Sequence, residues 1–143
     1  MRRGRRVGFD VGQVRIGVAQ CDPDGILATP VETLWRGKSD IDDAAQIVRE
    51  CEAMEVIVGL PLNMDGTEGA SARDARAWAA ELAESVAPAP VRLVDERLST
   101  VTAHGQLIAA GRDSRKRRSI VDQAAAVVIL NTALEMEQRT GNA

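Results

Sequence analysis

The stretch RRVGFDVGQVRIGVAQC at residues 5–21 contains two apolar, β-rich runs joined by a glycine-containing bend, which is typical of a β-hairpin. Asp10 stands inside the first run. A charged residue there costs stability unless a metal ion, a cation or hydrogen bonds satisfy it. Gly8 and Gly12 flank Asp10, and glycine in a strand often marks close approach of a ligand or another backbone. We therefore take Asp10 as a candidate functional residue, with neutralisation by Arg15 as the structural alternative.

The rest of the chain continues with one further β-rich run and then alternates helical patterns with short apolar runs. Such alternation is the mark of parallel strands covered by helices, whereas the opening hairpin is antiparallel. The pattern predicts an α/β fold: a mixed five-stranded sheet, its first three strands antiparallel, with helices on both faces. The predicted strands are residues 5–11, 15–21, 27–34, 55–60 and 91–95, and the predicted helices are residues 40–53, 70–86, 99–110 and 120–138.

Length and composition limit the class of protein. The chain has 143 residues, 45% of them apolar and 27% charged, which is the composition of a folded globular domain. We expect one domain over residues 1–143. The longest apolar run, Ala124–Leu130, is far too short to cross a bilayer, and the basic start does not lead into a signal peptide. We therefore expect a cytoplasmic protein. The two cysteines have no CxxC spacing, which predicts reduced thiols.

Basic charge is concentrated in two segments, although the net charge is -3. The segments are residues 2–6 and 112–118. Their nine basic residues and Asp113 give a net charge of +8, which leaves -11 for the rest of the chain. Concentrated basic charge is expected where a protein contacts a phosphate backbone, and a solvated loop with a frayed terminus is the alternative. The basic residues are Arg2, Arg3, Arg5, Arg6, Arg112, Arg115, Lys116, Arg117 and Arg118.

Two more carboxylates complete a candidate nuclease site. Glu96 immediately follows a predicted strand, where ligands of open α/β sheets bind. Asp122 is predicted in the first turn of the last helix, just after the second basic segment. Ser119 and Asp122 also fit a helix-capping pattern, and on that interpretation Asp122 only stabilises the helix start. If Asp10, Glu96 and Asp122 converge, the chain can hold Mg²⁺ or Mn²⁺ and cleave nucleic acid.

Four sequence blocks resemble the motifs of the YqgF/RuvX family, in family order over nearly the whole chain. The blocks are DVGQVRIGVA at 10–19, VGLPLNMDGTEG at 58–69, VDERLST at 94–100 and VDQAAA at 121–126. The family consists of RNase H-like proteins related to Holliday junction resolvases and pre-16S rRNA nucleases. The resemblance implies an RNase H-like fold, a cytoplasmic nuclease, and Asp10, Glu96 and Asp122 as the acidic metal-binding set. Unlike the classical resolvases of this fold, the last helix offers only one carboxylate, that of Asp122, because Ser119 and Ala125 stand one turn to either side of it.

The expected roles follow from phosphodiester chemistry. In a two-metal site Asp10 would bridge both ions, with Glu96 and Asp122 each holding one from the side. Asp95 should point to the other side of the chain and pair with an arginine. Trp35 and Trp78 are too few for base stacking, so we expect recognition of backbone and shape and not a single-strand binder built on aromatic platforms. The expected nucleic-acid contacts are Arg15, Asn63, Arg97, Arg115, Lys116, Arg117 and Arg118.

The sequence leaves three alternatives to an rRNA-processing nuclease. The first is a Holliday junction resolvase, for which a homodimer would suit the symmetry of the substrate. The second is a nucleic-acid-binding ribosome-assembly factor that does not cleave. The third is a phosphotransferase, because the Asp10 motif also resembles the phosphate loop of the sugar kinase and actin superfamily. That third class would need a second lobe to enclose ATP, and 143 residues leave no room for one.

Overall fold

The five predicted strands form one mixed sheet in the order β3-β2-β1-β4-β5. The computed structural model describes residues 3–98 and 114–139, of which 114–120 are described by backbone only. β1 pairs antiparallel with β2 and parallel with β4, β2 pairs antiparallel with β3, and β4 pairs parallel with β5. The strands are β1 (Arg6–Val11), β2 (Arg15–Cys21), β3 (Ala28–Trp35), β4 (Glu55–Leu60) and β5 (Val91–Asp95). The helices are α1 (Asp40–Glu50), α2 (Ala70–Val86) and α3 (Ser114–Arg139), with a 3-10 turn at Glu96–Leu98.

The last helix begins six residues earlier than the sequence pattern predicts. Arginine and lysine are good helix formers, so the basic run continues the helix towards its N-terminus instead of forming a loop. Two expectations are therefore wrong: Asp122 is the ninth residue of α3 and not in its first turn, and Ser119 lies inside the helix and cannot cap it. The other elements agree with the predicted bounds to within three residues. The helix predicted at 99–110 lies outside the described residues.

One face of the sheet is covered by α1 and α2 and holds the larger apolar side chains. From β1, Val7 and Phe9 point to this face, and the Phe9 ring packs against Trp78 of α2 with the ring centroids 5.2 Å apart. Every residue of β4 is buried, as expected for a parallel strand at the centre of a covered sheet. This layer is the main hydrophobic core.

The opposite face is covered by α3 alone. Small residues let the helix lie close to the strands: a Cβ on Gly8 would stand 3.1 Å from the Cβ of Leu130 and 3.3 Å from the carbonyl oxygen of Ala126. The far end of α3 is tied to the sheet by a buried ion pair between Arg6 and Glu137, with 2.5 Å between Nη2 and Oε2. The prediction of helices on both faces is confirmed. In the described part of the chain no helix is long and apolar enough to span a membrane.

Candidate active site

Asp10 lies on the α3 face of the sheet, near the carboxyl end of β1. Its side chain shares that face with Gly8, because side chains two residues apart in a strand point the same way. Directly opposite Asp10 on β2 stands Gly17. The carboxylate is half-buried, and the residue beside it on β2 has no side chain.

Gly17 brings Asp122 to the site. A Cβ on Gly17 would overlap the backbone carbonyl oxygen of Asp122, so the backbones of β2 and α3 are in direct contact here. Only glycine allows an approach of this kind. Main-chain packing therefore sets how close the Asp122 backbone lies to the sheet.

On the other side of Asp10, Gly59 leaves room for the side chain of Glu96. β4 lies beside β1, and a Cβ on Gly59 would stand 3.0 Å from Oε2 of Glu96 and 2.5 Å from Cδ1 of Ile129. Glu96 begins the 3-10 turn that follows β5, so the strand end directs its carboxylate across Gly59. Asp10 therefore has a glycine on each neighbouring strand, and above each glycine lies one of the other two acids.

Asp10 interacts electrostatically with each of the other two acids. Burial and then the charge of Asp122 raise the pKa of Asp10 to about 6. Burial and then the charges of Asp10 and Asp95 raise the pKa of Glu96 to about 7. Buried carboxylates that repel one another favour either protons or a bound cation. The site therefore attracts positive charge.

Arg15 is the cation that the protein itself supplies, and it pairs with Asp122. Its Nε donates a hydrogen bond to Oδ2 of Asp122 at 2.7 Å, and both side chains are partly buried. Its guanidinium also lies over the ring of Trp35, with Cζ 5.8 Å from the centroid. The structural alternative in which Arg15 neutralises Asp10 is wrong, because its hydrogen bond goes to Asp122.

The donor set fits a hard divalent cation, since carboxylate oxygens are the ligands that Mg²⁺ and Mn²⁺ prefer. Glu96 lies over Gly59, and the charge of Asp10 acts on its carboxylate. A cation between the two carboxylates would remove their repulsion. Among the described residues, no three histidine, cysteine, aspartate or glutamate side chains already form a complete metal site.

The hairpin that carries Asp10 is held from the other face by Arg36. This guanidinium donates to the carbonyl oxygen of Gly12 at 2.9 Å and to both carboxylate oxygens of Asp74 on α2, at 2.8 and 3.1 Å. It also donates to Asp40 at the start of α1 at 3.2 Å. One side chain thus fixes the β1–β2 turn to both helices of that layer.

Other residues expected to bind nucleic acid lie at the same edge of the sheet but have partners within the protein. Arg97 pairs with Asp95, with 2.7 Å between Nη2 and Oδ2, and Nη1 contacts the carbonyl oxygen of Met64 at 3.3 Å. The prediction that Asp95 pairs with an arginine is confirmed. Asn63 donates to Oγ1 of Thr67 at 2.9 Å and helps to close its loop. Asn63 follows the carboxyl end of β4 and Arg97 follows that of β5, and we call these two residues the rim.

Of the second basic segment, Arg112 lies outside the described residues, and Arg115, Lys116, Arg117 and Arg118 lie in the first two turns of α3, which the structure describes by backbone only. The helix carries these residues on the same rigid element as Asp122. The sequence reasoning missed Gly17 and Gly59, although a glycine inside each strand pattern was the available signal. It assigned close approach to Gly8 and Gly12 instead. Both do lie close to another backbone: Gly8 lies under α3, and a Cβ on Gly12 would stand 2.8 Å from the carbonyl oxygen of Arg15, to which the Gly12 N–H donates at 2.9 Å.

Solved structures of RuvC share this fold. Thermus thermophilus RuvC in complex with Holliday junction substrate matches with a TM-score of 0.62, covering 98% of each chain at 15% identity. A second Thermus thermophilus RuvC structure gives 0.56, with 97% of this chain and 98% of that chain covered at 14% identity. The sheet order and this likeness define the class of fold as RNase H-like.

The sequence matches the RuvX family, described as Holliday junction resolvase, over residues 4–136. The chain belongs to the RuvX family. A relative from Streptomyces avermitilis is 56% identical, with all of this chain and 93% of the relative covered, and one from Thermobifida fusca is 55% identical, with 98% and 92% covered. Both relatives carry the name "Putative pre-16S rRNA nuclease". The resemblance inferred from the four sequence blocks is confirmed.

Proposed function

We propose that this chain is a metal-dependent nuclease that hydrolyses phosphodiester bonds in 5′-end processing of pre-16S rRNA. The observation that carries the proposal is the placement of Asp122 above Gly17 and of Glu96 above Gly59, the glycines beside Asp10 on the two neighbouring strands. The names of the relatives support the choice of substrate. We treat residues 1–143 as one nuclease domain, and place it in the cytoplasm, where ribosomal RNA precursors are processed in bacteria.

The acids would hold Mg²⁺ or Mn²⁺. Hydrolysis needs an activated water, neutralisation of charge in the transition state and stabilisation of the leaving oxygen, and divalent ions held by carboxylates supply all three. Asp10, between the other two acids, would contribute the shared ligand. Glu96 and Asp122 would hold the outer positions.

Arg15 would release the carboxylate of Asp122 and bind a substrate phosphate in its place. In the described structure it neutralises Asp122. When Asp122 turns towards a cation, the guanidinium is left at the edge of the site, where a substrate phosphate can accept its hydrogen bonds. Arg15 would therefore orient the substrate without taking part in proton transfer.

The remaining phosphate contacts would come from the start of α3 and the rim. Arg115, Lys116, Arg117 and Arg118 precede Asp122 on the same helix, so we place the phosphate contacts of this helix on the N-terminal side of Asp122. Arg97 and Asn63 would contact the substrate from the β4 and β5 side. Neutralising the four α3 residues should weaken binding and flatten its salt dependence, because fewer counterions are released. An unchanged salt slope would remove this segment from the interface.

The decisive experiment compares a precursor 16S rRNA fragment with a synthetic four-way DNA junction, each with Mg²⁺, with Mn²⁺ and with chelator. Asp10→Asn, Glu96→Gln and Asp122→Asn should each lower cleavage at least about a thousandfold, since each removes a ligand of ions that contribute several kcal/mol. Asp42→Asn and Glu84→Gln, at exposed positions on α1 and α2, are the matched controls and should cleave normally. Purification of all variants in parallel excludes a contaminating nuclease.

Each outcome has a definite meaning. Metal-dependent cleavage of the RNA alone, lost in the three variants, supports rRNA processing. Paired symmetric cuts in the junction alone would make the chain a resolvase, which the family description favours and which a homodimer would suit. Binding of RNA without cleavage would instead indicate a ribosome-assembly factor.

A further inference from the structure

Trp35 is an exposed aromatic side chain at the edge of the site. It is the last residue of β3, and 66% of its surface is exposed, whereas Trp78 is 3% exposed. The chain has no tyrosine, and its one phenylalanine, Phe9, is buried. Trp35 is therefore the aromatic ring of this protein that is available to a partner.

The position of Trp35 relates it directly to the carboxylates. In the β2–β3 ladder it stands opposite Arg15, and the preceding pair on the same face is Thr33 and Gly17. Gln123 of α3 donates to Oγ1 of Thr33 at 3.1 Å, which shows that this is the face on which Asp122 lies. Trp35 therefore lies on the same face as Gly17, two residues along β3 from the residue that pairs with Gly17.

Arg15 links the ring to the site by two contacts. Its guanidinium lies over the indole at 5.8 Å from the centroid, and its Nε is 2.7 Å from the carboxylate of Asp122. A guanidinium stacked on an aromatic ring keeps its N–H groups free at the ring edge, where they can bind a phosphate. An aromatic face beside such an arginine is the arrangement that binds a base together with its neighbouring phosphate.

We propose that Trp35 stacks on one unpaired nucleobase of the substrate, next to the phosphate that is cleaved. The inference rests on the proposed nuclease function and adds a requirement for the substrate: at least one base beside the cleavage position must be unpaired. Stacking accepts any base, so the contact selects single-stranded or branched positions without selecting a sequence. A single exposed ring provides one such contact and not a run of them.

Tryptophan fluorescence gives the first test, because the buried Trp78 contributes a background that ligand does not reach. The protein is titrated in chelator, which prevents cleavage, with a single strand of about 12 nucleotides and with a fully paired duplex of the same length. We expect saturable quenching by the single strand, weak quenching by the duplex, and loss of the quenching in Trp35→Phe. Binding of the single strand without any quenching would overturn the proposal.

Affinity measurements with labelled oligonucleotides give the second test. Trp35→Ala should weaken single-strand binding about 5- to 30-fold, since stacking of one base contributes that much, and should change duplex binding less than about twofold. Trp35→Phe keeps a ring and should stay within about threefold of the parent protein. Ile26→Ala, at a 75% exposed position just before the start of β3, is the control and should bind both ligands normally.

Two results separate base stacking from a purely supporting role of Trp35. If Trp35 only supports Arg15, then Trp35→Ala weakens single-strand and duplex binding equally, and the proposal fails. If Trp35→Ala does not fold, the quenching and the affinity of Trp35→Phe still decide. Selective single-strand quenching without metal-dependent cleavage would retain the stacking contact and reject the nuclease function, whereas cleavage unaffected by Trp35→Ala would do the reverse.

Discussion

The two faces of the sheet use the same strands for opposite purposes. In β1, Phe9 points to the α1 and α2 face and packs in the main core, while Asp10 points to the α3 face and stands between glycines. The first face is filled by large side chains. The second holds a smaller apolar cluster but has no side chain at Gly17 and Gly59, so that the α3 backbone and the acids can approach there. Stability and chemistry are therefore assigned to alternate residues of one strand. Substitutions on the two faces should have different signatures.

The largest effect on stability is expected on the core face. Phe9→Ala removes a fully buried ring and should lower the free energy of unfolding by about 3–5 kcal/mol. Molecules that remain folded at low temperature should keep most of their nuclease activity per folded molecule. Chemical denaturation measures the free energy of unfolding. Activity per folded molecule is measured by active-site titration about 10–15 °C below the new melting temperature, which is two to three times the shift that 1 kcal/mol causes in a domain of this size. A loss of activity greater than the loss of folded protein would break the separation of faces.

Gly17→Ala should show the opposite signature. The added Cβ meets backbone on α3, which cannot rotate away, so the helix must shift and the free energy of unfolding should fall by about 1–3 kcal/mol. Because the shift displaces Asp122, cleavage by the folded molecules should fall by more than tenfold. Gly59→Ala is the milder companion, since it meets the end of the Ile129 side chain. Normal cleavage by folded Gly17→Ala protein would contradict the main-chain positioning of Asp122.

Asp10→Asn should abolish cleavage and yet stabilise the metal-free protein. Burial and the neighbouring Asp122 raise the pKa of Asp10 to about 6 from its ordinary value of 3.8. At pH 8 the folded protein holds an unfavourable charge, and removing it should raise the free energy of unfolding by about 1–3 kcal/mol, at about 1.4 kcal/mol per unit of pKa.

The sign of this effect depends on pH. The folded state binds the Asp10 proton more tightly than the unfolded state, so this group favours folding less as the pH rises from about 4 to about 6. The advantage of Asp10→Asn should therefore shrink on acidification and vanish near pH 3.5, below both values. Urea denaturation in chelator across this range is the measurement. Destabilisation at pH 8 would show that the Asp10 carboxylate is satisfied within the protein.

The smallest effect on stability is expected for Arg15→Gln. The ion pair with Asp122 is only partly buried, so its loss should lower the free energy of unfolding by no more than about 1 kcal/mol. Nucleic-acid binding should weaken, and the slope of log affinity against log salt should fall by about 1, because one phosphate contact is removed. Arg76→Gln, which breaks an exposed ion pair between α2 and Glu68, controls for the loss of a surface charge.

The strand pattern of the chain predicts the sheet well, because burial of β4 and alternation in β1 and β2 are local properties. The positions of Asp10 and Glu96 at strand ends are also readable from the sequence. The start of α3 is not, since the capping pattern at Ser119 competes with a basic run that is equally able to form helix. The pairing of Arg15 with Asp122 depends on residues far apart in the chain, and only the packing of α3 on Gly17 reveals it.

The continuity of α3 from Ser114 through Asp122 has a geometric consequence. Each residue of a helix advances it by about 1.5 Å and rotates it by about 100°. The basic residues and the acid therefore have a fixed separation and a fixed angular phase, about 9 Å apart along the axis between Lys116 and Asp122. A one-residue insertion between them would move the basic run by about 1.5 Å along the axis while leaving the acid above Gly17. If the start of α3 makes the proposed phosphate contacts, the number of residues up to Asp122 sets the distance from the bound phosphate to the acids.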